Sequence, residues 1–359
     1  MVSFLNQKSL RVICLVLVAA LAVCFTACND VIFAEIRQET KLTKSQILGE
    51  VSSIVRYKSR IYVQNGNVWY KEASQNAQGW TPCLKPAGVS YVNKLAADDK
   101  YIYAQTMTYV SDEDEGENIP TYRGLFYSED GITWTAVQDY GAVIYSNYLT
   151  FNIFCTNAPK AENRKAYANI NGTIYELGTS LTEVTDPRDV TAGTAASIRS
   201  AAYFDGDTVF SSAHSIVTNE TATADATKIY FSMSGYIYYY YSGASNWIPV
   251  ATDTSTIYAM AVTSDYILCG TEKGLAHIQL TSDGVPTGVN PGFVTNASST
   301  LSSYYQVFCV LAVDPSLSEY AGTLYASTTF DGSSSSTSAT TNNVCLWAYY
   351  ANRASWNRE

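Results

Sequence analysis

Residues 124–134 read Gly-Leu-Phe-Tyr-Ser-Glu-Asp-Gly-Ile-Thr-Trp. An apolar segment runs into the turn sequence Ser-Glu-Asp-Gly, and a second short segment that carries Trp134 leaves it. Glycine adopts positive φ angles without strain, and Ser and Asp side chains bond to nearby backbone groups, so this composition favours a tight turn. The stretch therefore predicts a β-hairpin.

Similar hairpins recur along the chain. The dipeptides Asn65-Gly66 and Asn171-Gly172 each separate two short apolar segments, which is a strong hairpin signal. Six copies of a unit of about 45–55 residues can be followed, each with roughly four strand-like segments. The sequence therefore predicts an all-β fold, a β-propeller of six blades with about four antiparallel strands each. Seven blades, or two β-sandwich domains, stay open as alternatives, because the fourth copy contains material for an additional hairpin.

The first stretch resembles the Asp-box (BNR-type) repeat, whose pattern is Ser/Thr-x-Asp-x-Gly-x-Thr-Trp. The matching residues are Ser128, Asp130, Gly131, Thr133 and Trp134, with one residue missing between Asp130 and Gly131. A partial second copy ends in Ser282, Asp283 and Gly284. The resemblance implies a propeller in which the Ser and Asp oxygens hold N–H groups of the turn and the tryptophan is buried between sheets.

The N-terminus has the composition of a bacterial lipoprotein signal. Lys8 and Arg11 precede an apolar run of about 14 residues, too short for a typical membrane span of roughly 20. The run ends in Phe-Thr-Ala-Cys, which resembles a lipobox with Cys28 as the acylated residue. We expect residues 1–27 to be a signal peptide, 28–50 a tether and 51–359 a single domain. The expected location is the bacterial cell envelope, on the outer membrane or cell surface, with the periplasmic face as the alternative.

Charge and composition exclude several functional classes. The formal net charge is −10, and it becomes −12 without Lys8 and Arg11, so an interface with nucleic acid through a basic surface is not expected. His214 and His277 are the only histidines, and no Cys-x-x-Cys pattern occurs, so neither a metal site nor a cofactor is expected. The five cysteines that follow Cys28 lie mostly in apolar segments, which favours a role as small buried side chains.

The resemblance also raises the alternative of an enzymatic function, because Asp-box propellers include sialidases. Their substrate carboxylate is held by a cluster of arginines, whereas the arginines of this chain are scattered in the sequence, as Arg56, Arg123, Arg188 and Arg199 illustrate. We therefore expect no catalytic role. The predicted function is binding of a protein or glycan ligand by a lipid-anchored protein, and the alternatives are a scaffold for envelope assembly and a degenerate sialidase-like glycosidase.

Three long insertions indicate where a ligand would bind. They are Val110–Pro120, a stretch within Ser212–Thr227, and Phe330–Asn343. Each is expected to follow the second strand of its blade, so that all three would emerge on one rim of the propeller, where long loops usually carry recognition. The predicted rim residues are Tyr109, Asp112, Asp114 and Tyr122.

Overall fold

The structure is a computed structural model of the 359-residue chain. It describes residues 44–74, 78–112, 117–146, 151–155, 164–171, 173–183, 215–219, 228–233, 236–241, 248–251, 257–262, 266–282, 284–287, 292–293, 305–313, 323–330, 344–350 and 355–359. Cys28 and Asp114 lie outside these residues, so the predictions made for them stay predictions.

The first half of the described chain forms three antiparallel sheets in which consecutive strands are neighbours, except that the fifth strand of the second sheet pairs with its third strand. Sheet 1 consists of β1 (Ser53–Tyr57), β2 (Arg60–Gln64), β3 (Val68–Glu72) and β4 (Thr81–Cys83). Sheet 2 consists of β5 (Tyr91–Ala97), β6 (Ile102–Asp112), β7 (Glu117–Ser128), β8 (Thr135–Ala136) and β9 (Val143–Ile144). Sheet 3 consists of β10 (Phe151–Cys155), β11 (Ala166–Ile170), β12 (Thr173–Glu176) and β13 (Thr182–Glu183).

The second half repeats the same arrangement. Sheet 4 consists of β14 (Ser215–Asn219), β15 (Lys228–Met233), β16 (Tyr236–Tyr241) and β17 (Ile248–Ala251). Sheet 5 consists of β18 (Ile257–Val262), β19 (Tyr266–Thr271), β20 (Gly274–Gln279) and β21 (Gly292–Phe293). The remaining strands are β22 (Tyr305–Gln306), β23 (Val310–Ala312), β24 (Thr323–Ser327), β25 (Thr329–Phe330), β26 (Leu346–Tyr350) and β27 (Ser355–Arg358). Sheet 6 has the order β23-β24-β26-β27, and β22 pairs separately with β25.

The first strands of the sheets contact one another in chain order, and β23 contacts β1, so the sheets close into a ring. An all-β propeller is thereby confirmed, and two separate β-sandwich domains are excluded. The prediction of six blades, each of about four antiparallel strands, is not met. Five blades have four strands, whereas the second repeat forms a five-stranded sheet because β6 and β7 extend past β5 and the extension of β7 pairs with β9.

The hydrophobic core lies between neighbouring sheets, because a four-stranded sheet has two faces to cover. One cluster joins sheets 1, 2 and 3, a second joins sheets 6 and 1, and a third joins sheets 4 and 5. Tyrosine fills much of this space, and its hydroxyl groups reach backbone carbonyls of the next sheet. Tyr57 donates to the carbonyl of Glu129 at 2.6 Å, and Tyr230 donates to that of Gly284 at 2.6 Å. These bonds satisfy hydroxyl groups that enter the core, whereas the buried hydroxyl of Tyr325 has no hydrogen-bond partner among the described residues.

The compact unit begins at Ser45, earlier than the domain start predicted at residue 51. The backbone N–H groups of Gln46 and Ile47 both donate to the carbonyl of Glu359, directly after β27. Leu48 then forms an isolated bridge with Cys345. Residues 45–48 therefore belong to the folded unit rather than to the tether.

The cysteine prediction is confirmed for the five residues that the structure describes. All five are buried and none forms a disulfide; they are Cys83, Cys155, Cys269, Cys309 and Cys345. Burial raises the pKa of the Cys309 thiol to about 12 and that of Cys345 to about 11, so both stay protonated at neutral pH. Among the described residues no helix is long and apolar enough to cross a membrane.

Candidate recognition surface

The predicted turn at residues 128–134 is organised by the side chain of Asp130. Its Oδ1 accepts the backbone N–H groups of Ile132 at 2.8 Å and Thr133 at 2.7 Å, and its Oδ2 accepts the Thr133 hydroxyl at 2.9 Å. The Ser128 hydroxyl donates to Asp130 Oδ1 and accepts the N–H of Gly131, both at 2.9 Å. These bonds satisfy backbone donors that the hairpin leaves without strand partners.

Gly131 is required at this turn for two reasons. Its φ is +75°, a left-handed conformation that side chains disfavour, and a Cβ placed there would lie 2.0 Å from the hydroxyl oxygen of Tyr62 on sheet 1. The turn of sheet 2 thus docks against the preceding sheet. Its role in this structure is to join two blades.

Trp134 differs from the prediction, because it is half-buried rather than enclosed between sheets. Its indole N–H donates to the carbonyl of Leu84 at 2.8 Å. Among the tryptophans that the structure describes, Trp80, Trp347 and Trp356 are buried.

The second partial copy follows a different alignment from the predicted one. Gly284 has φ of +73° and donates its N–H to the carbonyl of Thr281 at 2.8 Å, while the Thr281 hydroxyl accepts the N–H of Val285 at 3.0 Å. Thr281 therefore occupies the place of Ser128, three residues before the turn glycine, and Ser282 does not. Asp283 lies outside the described residues.

We expect the Asp130 turn to make stability sensitive to acid. Mainly the N–H of Thr133, with further hydrogen bonds from Ile132, Ser128 and the Thr133 hydroxyl, lowers the pKa of Asp130 below its ordinary value of about 3.9. A lowered folded-state pKa means that the stabilisation is present above the unfolded pKa and is lost as pH falls below it. Asp130→Asn should therefore lower the free energy of unfolding most at pH 6, and the difference from wild type should shrink between pH 4 and pH 2.

Denaturant unfolding at a series of pH values checks this expectation. Glu129→Gln is the matched control, because no hydrogen bond to its carboxylate is present among the described residues. A difference between Asp130→Asn and wild type that stays constant from pH 6 to pH 2 would contradict the assignment.

The predicted ligand rim contains a β-ribbon that projects from sheet 2. Strand β5 pairs with β6 only between Ile102 and Met107, and β9 pairs with β7 only at Tyr122 and Arg123. Beyond these positions β6 and β7 continue to pair with each other as far as Asp112 and Glu117. We call residues 108–112 and 117–122 the ribbon. The insertion Val110–Pro120, predicted as a loop, is therefore strand on both sides of its tip.

Exposed apolar side chains occupy one face of the ribbon. Val110 pairs with Ile119, Thr108 pairs with Tyr122, and Tyr122 also pairs with Ile144 on β9. Because residues that pair across strands share a face, Val110, Ile119, Tyr122 and Ile144 lie on the same side. All four are exposed, Tyr122 by 42% and Ile144 by 75%.

The two predicted tyrosines lie on opposite faces rather than side by side. Tyr109 pairs with Pro120, and the register shifts after Thr108, so that Thr121 is an extra residue on β7. Tyr109 consequently shares its face with Tyr91, which pairs with Met107. The alternation of a strand places neighbours on opposite faces, and the sequence prediction of one rim did not take it into account.

The tip of the ribbon is acidic. Residues 112–117 are Asp-Glu-Asp-Glu-Gly-Glu, with five carboxylates, and no Lys or Arg occurs between 111 and 120. Asp112 ends β6 and pairs with Glu117 at the last described step of the ribbon. The sequence therefore provides five acidic residues at the ends of the two ribbon strands and in the segment that joins them.

The other two insertions only partly follow the prediction. Phe330–Asn343 follows β24 and precedes β26, so it connects the second and third strands of sheet 6, as the β6–β7 tip does in sheet 2. Ser212–Thr227 includes β14 and then connects the first and second strands of sheet 4. The latter connection emerges on the opposite side, so the prediction that all three insertions share one rim is wrong. Among the described residues no group of three or more His, Cys, Asp or Glu side chains could hold a metal ion.

Comparison with known proteins adds to these observations. Residues 5–110, less than a third of the chain, match the family model described as the TP013X lipoprotein family. No curated protein sequence matches the chain. The match supports a lipoprotein, and thus a lipid-anchored protein of the cell envelope.

Solved structures resemble the chain over most of its length but with little sequence identity. A chain of a nidogen/laminin complex has a TM-score of 0.45 at 12% identity, covering 83% of this chain and 92% of that one. The protein YCF48 from Cyanidioschyzon merolae has a TM-score of 0.39 at 12% identity, covering 89% and 88%. A calcium-binding protein, regucalcin, from Agrobacterium tumefaciens has a TM-score of 0.42 at 10% identity, covering 82% and 88%. No function is carried over from these similarities.

Proposed function

We propose that this protein is a recognition protein of the bacterial envelope that is attached to the membrane through a lipid on Cys28. The protein binds a partner protein through the ribbon of sheet 2. No catalytic role forms part of this proposal. The observation that carries it is the coexistence of an exposed apolar face, formed by Val110, Ile119, Tyr122 and Ile144, with an acidic tip. Contiguous exposed apolar side chains with a polar border are typical of interaction sites.

The chemistry of the ribbon favours a particular kind of partner. Outside the pairing with β5 and β9, each ribbon strand is paired with the other only. The N–H of Tyr109 donates to the Ser90 hydroxyl and the carbonyl of Thr121 accepts the N–H of Tyr145, so the edge that stays open to a further strand is the part nearer the tip. Such an edge can accept an additional strand. The five carboxylates at the tip repel a second copy of the same ribbon and attract a cationic surface. The expected partner is therefore a protein segment that combines apolar side chains with Lys or Arg.

Site-specific photo-crosslinking in the native envelope tests the proposal. A benzophenone side chain at Tyr122, which is 42% exposed, should give a discrete crosslinked species. The same side chain at Ile132 is the matched control, because Ile132 is 40% exposed and lies in the turn at the other end of β7. Replacing Asp112 and Asp114 by Asn should reduce crosslinking at Tyr122 about tenfold at low salt, since two of the five carboxylates that steer association are lost.

Fractionation of the same cells tests the anchor separately. Wild-type protein should remain with the membranes, and Cys28→Ser should appear in the soluble fraction. Equal crosslinking at Tyr122 and Ile132 would contradict the ribbon as the binding surface, and unchanged fractionation of Cys28→Ser would contradict the anchor.

A further inference from the structure

A cavity of about 80 Å³ lies where the first strands of the sheets meet around the propeller axis. Residues of sheets 1, 2, 3, 5 and 6 line it, and they include Ser52, Cys155, Tyr258, Met260 and Cys309. A buried water occupies roughly 10–15 Å³ by the same measure, so the cavity has room for about five groups of that size. This is the size of a small organic anion.

Lys94 is the one cationic side chain in the described lining of this cavity, and no carboxylate belongs to that lining. A β-bulge directs the lysine there. Val92 pairs with Thr106 and Lys94 pairs with Gln105, so Asn93 is an additional residue in β5. A bulge of one residue reverses the alternation that follows it, and Lys94 thereby faces the axis, whereas Val92 is in the core.

The ammonium group of Lys94 is poorly compensated. Its Nζ donates one hydrogen bond, to Oδ1 of Asn152 on β10 at 3.1 Å. A lysine has three donors and a full positive charge, and an amide oxygen satisfies only one of those donors. Burial lowers the pKa of Lys94, whose half-buried side chain meets no carboxylate in the described lining of the cavity.

We propose that the axial cavity binds a carboxylate monoanion, with Lys94 as its countercharge and Asn152 holding the lysine in place. A carboxylate with two carbon atoms has four non-hydrogen atoms, which fits the volume. It also supplies the one negative charge that a single lysine can neutralise. A dianion such as sulfate would leave a second buried charge without a partner, which is strongly unfavourable. This site is separate from the ribbon and does not depend on the proposed function.

Acetate is the probe that tests the site. In wild-type protein labelled with ¹³C-lysine, the ε-methylene signal of Lys94, identified by its loss in Lys94→Met, should shift saturably with acetate, with a Kd of about 1–10 mM. Ionic strength is held constant with chloride. Lys100→Met is the control variant, because Lys100 is exposed on the same sheet and should leave the titration unchanged. Sulfate should bind at least about tenfold more weakly than acetate.

Thermal unfolding in the presence of acetate tests the variant Lys94→Met directly. Acetate should raise the thermal midpoint of wild type and of Lys100→Met, because a ligand that binds only the folded state stabilises that state. It should not raise the thermal midpoint of Lys94→Met. Two sources of the carboxylate are distinguished by comparing acetate with a terminally blocked peptide that carries one glutamate. Tighter binding of the peptide identifies the side chain of a partner, and tighter binding of acetate identifies a free small acid.

The proposal is overturned if no carboxylate shifts the Lys94 signal saturably. It is also overturned if acetate stabilises Lys94→Met as much as wild type, or if sulfate binds as tightly as acetate.

Discussion

Replacing Glu359 by glutamine is expected to lower the free energy of unfolding by about 3–5 kcal/mol, because it leaves a buried cation without its countercharge. The carboxylate of Glu359 forms an ion pair with Nζ of Lys71, and both side chains are almost completely buried between sheets 6 and 1. Tyr350 donates to Oε1 of Glu359 at 2.6 Å, and the indole N–H of Trp80 donates to Oε2 at 3.1 Å. Lys71 also donates to the hydroxyl oxygen of Tyr350 at 2.8 Å.

This network closes the ring of sheets. Lys71 belongs to β3 in the first sheet, while Tyr350 and Glu359 belong to the end of sheet 6. The ammonium group of Lys71 lies 4.8 Å from the ring centre of Trp80 and 5.0 Å from that of Tyr325. It therefore packs against aromatic rings, which attract a cation. Every partner of the pair is therefore fixed, and the loss of one leaves the others unsatisfied.

Urea unfolding measures the effect, with the slope of the transition checked for a common unfolded state. Glu72→Gln is the matched control, because Glu72 forms an ion pair with Arg60 at 2.9 Å whose side chains are 49% and 31% exposed. Solvent screens such an exposed pair, so its loss should change the free energy of unfolding far less than the loss of the buried pair. The double variant Lys71→Met with Glu359→Leu should be closer to wild type than Glu359→Gln, since it removes both charges. Equal costs for Glu359→Gln and Glu72→Gln would contradict the role given to the buried pair.

Trp347→Ala is expected to have a comparably large effect, about 3–5 kcal/mol, because it empties the largest fully buried side chain of the described core. Trp347 lies on β26 between β24 and β27, with no exposed surface. Its indole N–H donates to the hydroxyl of Thr328 at 3.1 Å, so the variant also leaves a buried hydroxyl with one partner fewer.

Trp134→Ala provides the comparison, because it removes the same side chain from a half-buried site. Trp134→Ala should lower the free energy of unfolding by less than Trp347→Ala does, by about 1–2 kcal/mol, since less apolar surface is withdrawn from water at Trp134. Thermal and urea unfolding of the two variants, measured in parallel, give the difference directly. If Trp134→Ala destabilised the protein more than Trp347→Ala, burial would not be what determines the cost.

Local patterns predicted the strands and turns well. The Asn65-Gly66 dipeptide separates β2 from β3, and the Ser-Glu-Asp-Gly sequence ends β7 in a turn closed by Asp130, because these effects depend on residues only a few positions apart. The buried cysteines could likewise be predicted, since each lies beside apolar residues. The strand count of the second repeat could not, because whether β7 recruits β9 depends on pairing between distant segments.

The faces of the ribbon and the lining of the axial cavity were also harder to predict, because both depend on pairing between distant segments. That Tyr109 and Tyr122 face opposite sides follows from the register shift at Thr108 and Thr121, which no local pattern indicates. Lys94 had no distinguishing sequence signal, because its position at the axis depends on the bulge at Asn93 and on strands from four other sheets. Lys71 and Glu359 are 288 residues apart, so their pairing is equally invisible to a local reading.

The sequence by itself determined the class of fold, the turn chemistry and the expectation of an anchored N-terminus. Each of these depends on short-range periodicity, on the φ preference of glycine or on a contiguous segment. Only the tertiary structure decided which side chains meet across sheets, which faces of the ribbon carry apolar groups, and which lysine lies on the axis. Those properties arise from register and ring closure, where one additional residue in a strand reverses the face of every residue after it.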